Sequence, residues 1–269
     1  MRKTSLLTAA LLLGAAGRTL AQTTDPTQNE DAPFVRNIRP DRPGQTVTTS
    51  MLRPGQFQLE AGTLHRTPGT GAASTLSTGL LRIGFWNHME LRLTQGLLHA
   101  QPRRVGDGAP TLGSGLAPLT VGAKWLASTN QDARSQVVFL TELTLPNTGD
   151  RTLNIGKPVA AARALISQQI GRRYGLEGNL GFSQSGFKAA ATKQGQFLYT
   201  LALNGPLGGK FGFFAEGYGM GRSSFAHGAT LGLNWRPFPG VRLDLTTGRS
   251  LSGAALSTIG GGLSLRLPR

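Results

Sequence analysis

Apolar and polar residues alternate with a period of two through most of the chain after Gly55, and the stretch Leu80 to Leu98 shows the rule most plainly. Leu81, Ile83 and Phe85 alternate with Arg82 and Gly84; Met89, Leu91 and Leu93 then alternate with Glu90, Arg92 and Thr94. Successive side chains of a strand point to opposite faces, so this period belongs to strands with one apolar and one polar side. The pattern predicts a β-hairpin. A three-residue loop Trp86-Asn87-His88 would set Phe85 opposite Met89 and Arg82 opposite Arg92, with Glu90 on the diagonal.

The same alternation recurs in twelve segments: 56–66, 75–85, 89–98, 117–127, 135–146, 158–170, 174–184, 196–204, 210–220, 227–236, 241–249 and 256–267. Each is near the roughly 9–11 residues with which a tilted strand crosses a bilayer, and single-chain bacterial barrels have an even strand count. Tight connections (Trp86-Asn87-His88, Gly171-Arg172-Arg173, Gly205 to Gly209, Pro237 to Gly240) fall on one end, and the longer loops near 67–74, 99–116, 147–157 and 185–195 on the other. That asymmetry is the one found between periplasmic turns and external loops. The predicted fold is all-β: a transmembrane antiparallel up-and-down β-barrel of about 12 strands over 55–269. A soluble sandwich or lipocalin has the same period with the faces exchanged, so export and strand length favour lipid outside.

What precedes the barrel divides in two. MRKT, the apolar run Ser5 to Gly17 and the small residues before Gln22 have the layout of a secretory signal peptide, residues 1–21. Residues 22–54 are rich in Pro, Asp, Asn and Thr without a sustained period, and predict an irregular N-terminal arm. The arm is either a flexible periplasmic leader or, through Asn37 to Pro43, a segment that folds back to plug the pore. No later window reaches the roughly 20 apolar residues of a helical span.

Composition narrows the partners. There are 28 Lys+Arg against 13 Asp+Glu, with pI near 11.5, which in a cytosolic protein would suggest nucleic acid. Export removes that reading and leaves outer-membrane lipid and lipopolysaccharide as the anionic surface. The predicted external loops hold Arg66, Arg103, Arg104, Arg151, Lys157, Lys188, Lys193, Arg222 and Arg249 against Asp107 and Asp150. Among these, Arg103, Arg104, Arg151 and Lys157 are the candidate lipopolysaccharide contacts, since Arg and Lys suit phosphate. The absence of cysteine excludes disulfides and thiolate metal sites.

On the face opposite the apolar ladders, alternation collects Glu60, Arg82, Glu90, Arg92, Lys124, Glu142, Arg163, Glu177, Glu216, Arg242, Asp244 and Arg266, with Arg236 beside them. These are the candidate lumen-lining residues. They predict either an internal network of paired charges or a conduit whose charges set selectivity, and their near balance argues against strong ion selectivity.

Residues 41–46 (DRPGQT), 54–62 (PGQFQLEAG), Leu81-Arg82-Ile83-Gly84 with Met89 to Leu93, Leu119 to Trp125, and Leu143 to Pro146 with Gly149-Asp150 resemble the outer-membrane β-barrel "transporter" family, putative MetA-pathway of phenol degradation. The resemblance implies an exported barrel tied in some members to uptake of aromatic or other hydrophobic compounds. It also implies a client of the barrel-assembly machinery, although Pro268-Arg269 stands where such barrels carry a terminal aromatic.

The expected function is therefore passive passage of small, hydrophobic or aromatic solutes, with no cofactor and no chemistry. A closed structural or lipid-binding barrel is the alternative, and a barrel lipid hydrolase a third. His65, His88, His99 and His227 each lie at a strand end or turn without an evident serine partner, and no HExxH or Walker sequence occurs.

Overall fold

In the computed structural model, residues 38–69, 73–100, 114–130, 134–185 and 194–267 are described. The predicted segment 1–21 and residues 22–37 of the arm predicted over 22–54 lie outside them, as do Arg103, Arg104, Asp107, Lys188 and Lys193 of the predicted loops. Thirteen strands form: β1 (Phe57–Pro68), β2 (Ser74–Trp86), β3 (Met89–Ala100), β4 (Gly115–Leu116), β5 (Thr120–Thr129), β6 (Ser135–Thr144), β7 (Val159–Ile170), β8 (Tyr174–Ser185), β9 (Gln194–Gly208), β10 (Phe211–Gly221), β11 (Phe225–Trp235), β12 (Val241–Ser250) and β13 (Leu256–Leu267). Twelve of them pair in order and close when β1 meets β13, from Phe57 opposite Leu267 to Pro68 opposite Leu256. The thirteenth, β4, is a two-residue bridge on the loop end of β3.

Which face is inside decides between membrane and soluble barrel. Arg82, Lys124, Gln58, Glu60 and Glu90 are among the largest fully buried side chains, while Leu59, Phe139, Leu180, Leu201, Leu231 and Leu245 stand exposed. Charge inside and leucine outside is stable only where hydrocarbon replaces water around the wall. Aromatic pairs mark both rims of this belt: Phe211 on Trp235 and Tyr174 on Phe213 at the turn end, Phe182 on Phe197 and Tyr199 on Phe225 at the loop end. Such girdles sit at the two membrane interfaces. Among the described residues, no helix is long and apolar enough to cross a membrane.

Two local readings are corrected. The β2–β3 connection is the tight turn Asn87-His88, with His88 at φ 70°, and Trp86 rather than Phe85 faces Met89. A bulge between Gly84 and Trp86 absorbs Phe85, so Arg82 still faces Arg92. Strand β9 runs on through Pro206 to Gly208, beyond the expected end at 204, because the register shift against β10 leaves Pro206 at an irregularity where its missing N–H does not break a ladder.

Candidate functional site

The arm from Ile38 to Pro54 lies within the barrel. Its Pro- and Thr-rich sequence forms no strand, so its backbone donors and acceptors have no ladder to join and must find other partners when buried. Inward side chains supply them. Glu60 accepts from the Asp41 N–H (2.9 Å), Glu90 from Leu52 (3.0 Å), and the Glu216 carboxylate from Gln45 and Thr46. Arg82 donates to the carbonyls of Arg39 (2.9 Å) and Ser50 (2.7 Å), and Lys124 to that of Thr48 (2.9 Å). Asn179 brackets Val47, accepting from its N–H at 2.7 Å and donating to its carbonyl at 2.9 Å. Hydroxyl pairs Thr46–Thr200 and Thr49–Ser167, each 2.8 Å, extend the contact to β9 and β7.

Asp41 is the charged centre. Lys124 Nζ donates to both its carboxylate oxygens at 2.8 Å, Arg92 bonds one of them, and Arg82 Nε stands 3.6 Å away. Burial alone would push the Asp41 carboxyl up, but Arg82, Lys124 and Arg92 outweigh it and hold the group well below the usual carboxylate range. Arg82 also forms a forked pair with Glu90, at 2.7 and 2.8 Å, and reaches Glu60 at 3.2 Å. A bidentate Arg–carboxylate pair surrounded by further donors is the arrangement that keeps buried charge tolerable.

Arg42 has a socket of its own. Its guanidinium donates to the carbonyls of Ala61 (2.8 Å) and Gly261 (3.4 Å) and pairs with Asp244 at 3.7 Å. It lies over Gly62 and Gly262, where a Cβ on either residue would collide with it. These glycines are thus required for close approach of a side chain.

The predicted interior residues fall as follows. Glu60, Arg82, Glu90, Arg92, Lys124, Glu177, Glu216, Arg242 and Asp244 are buried, and Glu142, Arg163 and Arg266 are partly covered. Arg163 reaches the Gln45 carbonyl at 3.4 Å, and Arg236 lies just past the end of β11. Arg151 and Lys157 are exposed in the loop between β6 and β7. Of the four histidines, His65 meets the Thr75 hydroxyl and His227 the Tyr199 hydroxyl at 2.7 Å, in separate places.

Three features go beyond what the alternation predicts. Asp41, Arg42 and Asn179 are partners of the interior charges and of the arm, although none of them belongs to the predicted lumen set. An apolar patch lies inside the barrel, where Val138, Leu140 and Leu165 pack on Val47 with Met51 and Leu126 beside them. Its signal is the unbroken run Val137-Val138-Phe139-Leu140, apolar on both faces of one strand. Thirdly, the loop-end half of the inner wall carries a ladder of directly opposed leucines, Leu64–Leu76–Leu98, across β1, β2 and β3. At the turn end the arm leaves a cavity of about 800 Å³ against β8 to β12.

A family model described as "Putative MetA-pathway of phenol degradation" matches residues 40–267. The chain belongs to this family. The region shared with this phenol-degradation MetA-type family therefore begins within the docked arm and ends with the strand that closes the barrel. Among solved structures, the COG4313 outer membrane channel from Pseudomonas putida F1 is similar at 16% identity and a TM-score of 0.60, over 84% of this chain and 99% of that one. The NanC porin is similar at 8% identity and 0.57, over 78% and 100%. At these identities the likeness establishes the fold: this family member is a barrel of the outer-membrane kind. No curated protein matches the chain.

Proposed function

We propose that the barrel is a passive outer-membrane channel for small, hydrophobic or aromatic solutes, that it performs no chemistry, and that the arm is its docked plug. The observation that carries this reading is an apolar ladder on the inner wall, apart from the ion cluster that holds the arm. On β1 to β3 the inner wall offers the Leu64–Leu76–Leu98 ladder toward the loops, with Arg66 beyond it, while Glu60, Arg82, Glu90, Arg92 and Lys124 gather around the arm. A solute with an apolar body can lie along this ladder without displacing the paired charges around the arm. Membership of a family named for phenol degradation, and a fold shared with an outer membrane channel, support the same class. The arm is held mostly by hydrogen bonds and ion pairs, which water replaces more readily than it replaces an apolar core.

Liposome swelling with a panel of phenols and sugars tests it, using the full chain and a form lacking residues 22–50. Phenol-dependent permeability that rises on deletion is expected. No permeability in either form would instead favour a closed structural barrel, a reading supported by the breadth of the arm's contacts around the wall. The channel reading includes export with cleavage near Gln22, checked by N-terminal sequencing, and insertion by the barrel-assembly machinery. It also includes lipopolysaccharide contact by Arg103, Arg104, Arg151 and Lys157, whose joint neutralisation should reduce lipopolysaccharide co-purification.

A further inference from the structure

The turn-end cavity of about 800 Å³ is not neutral. Its described lining carries basic residues from three sources: Arg39 and Arg42 on the arm, Arg172, Arg173 and Lys210 in the turns, and Arg236 and Arg242 on the wall. Only Glu177 and Glu216 oppose them there, and both are engaged. Glu177 pairs with Arg39 at 3.8 Å, while Glu216 accepts the backbone N–H groups of Gln45 and Thr46. Asp244 is not part of the lining, but it pairs with Arg42 and is also a counter-charge to Arg242, two positions away on the inner face of β12. Several of the bases are engaged too, Arg39 by Glu177, Arg42 by Asp244 and two carbonyls, and Lys210 by the Pro237 carbonyl, yet basic residues outnumber acidic ones seven to two in the lining.

Arg242 is the most informative of these. It is nine-tenths buried, and its Nε has no hydrogen-bond partner among the described residues. The Nε itself is sealed from solvent, so a ligand would meet the outer part of this guanidinium, which lines the cavity and is shaped for a carboxylate. The cavity has apolar surface as well, since Phe214, Pro43, Ala202 and Pro206 line it. A cavity of this size accommodates a single-ring solute.

We propose that this vestibule is a binding site for small aromatic carboxylates, with the carboxylate on Arg242 and its basic neighbours and the ring on Phe214 and Pro43. The bound acid is the channel's cargo only if the channel reading above holds, whereas the binding itself stands apart from it.

The test is fluorine NMR of 4-fluorobenzoate with the full chain in detergent micelles, beside neutral 4-fluorobenzyl alcohol and inorganic phosphate as competitor. Benzoate should bind about tenfold tighter than the alcohol, and Arg242→Gln should remove most of that difference, as expected for loss of one charge-assisted contact. Because a buried arginine can matter for folding, the paired exposed-turn variant Arg172→Gln/Lys210→Gln is measured too, with a smaller loss of benzoate affinity expected. Raising salt from about 0.01 M to about 1 M, which contracts the screening length from roughly 30 Å to roughly 3 Å, should weaken binding in every form that retains it. Equal binding of acid and alcohol, wild-type affinity in both variants, or phosphate competing as well as benzoate would overturn the proposal. Benzoate binding in a protein that leaves liposomes impermeable would reject the channel and keep the site. Phenol permeability without benzoate preference would do the reverse.

Discussion

Both carboxylate oxygens of Asp41 accept from the Lys124 ammonium at 2.8 Å, joining the arm to the middle of β5 across 83 residues of sequence. Arg82 and Arg92 close on the same carboxylate. Removing that one negative charge leaves the buried Lys124 without its carboxylate partner, while Arg82 keeps Glu90 and Glu60. Breaking a buried ion pair by deleting one partner costs about 3–5 kcal/mol. Asp41→Asn should thus free the arm while the barrel, closed by its own ladders, still resists denaturant. Thermolysin cleavage before Val47 or Met51 should appear in the variant and be absent in the parent. Protection equal to the parent would show that the ion cluster does not hold the arm.

The pH dependence of docking follows from the same group. A carboxyl held below its ordinary value stabilises the docked state fully above the free value of about 3.9, and the contribution is lost as pH falls through the lower docked value. Where Asp41 governs docking, arm protection from thermolysin should consequently stay constant from about pH 7 to about pH 5, apart from changes in the protease itself. Release centred near neutrality would mean that a different group governs docking.

Gly262 and Gly62 are predicted to be intolerant of a side chain for a reason unrelated to backbone strain. A methyl group at either position would occupy the space of the Arg42 guanidinium, which would have to leave its carbonyl partners at Ala61 and Gly261. Gly262→Ala should weaken arm docking by about 1–3 kcal/mol, the usual range for overpacking. Gly79→Ala, where a Cβ meets nothing within 4 Å, should leave docking unchanged. Comparing thermolysin protection in the two variants checks this.

The barrel was legible in the sequence because a two-sided wall imposes a period of two on almost every strand, and Glu90 and Arg92 flanking Leu91 already declare two environments. The arm was legible as an absence of period, with a plug through Asn37 to Pro43 as one of its two readings. Its docking depends on backbone groups of residues such as Thr46, Val47 and Leu52 meeting side chains far along the chain, and backbone hydrogen-bonding leaves no mark on residue type. The basic lining of the turn-end cavity was hidden for the same reason, since a count of Glu216 as one acid does not reveal that two arm N–H groups occupy it.

The direction of the wall can be tested by charge. Leu245 stands 58% exposed near the middle of β12, and Leu251 is 69% exposed just beyond its loop end. In water both would accept arginine at little cost. In a bilayer, arginine costs about 2–4 kcal/mol at mid-depth and about 0–1 kcal/mol near the interface. Leu245→Arg should therefore lower the unfolding midpoint of the barrel in vesicles, and Leu251→Arg should hardly move it. Equal effects would contradict lipid around β12.

The inner apolar patch gives the last prediction, which separates the arm's share of stability from the barrel's. Leu165 is fully buried on the inner face of β7, packed on Val138 and Leu140 with Val47 of the arm. Leu165→Ala should cost about 2–5 kcal/mol in the full chain, through lost transfer energy and the cavity left behind. Once residues 22–50 are removed, Val47 no longer covers the patch, and the leucine already faces the lumen. The same substitution should then cost markedly less. Urea unfolding of the four proteins forms a double-mutant cycle, in which residues that touch show a coupling of about 0.5–3 kcal/mol. Ile166, whose side chain is 45% exposed on the outer face of the same strand, supplies the control: Ile166→Ala should show the same cost with the arm and without it. Additivity at Leu165 as well would mean that the patch is held by the barrel alone and that the arm rests on its polar contacts.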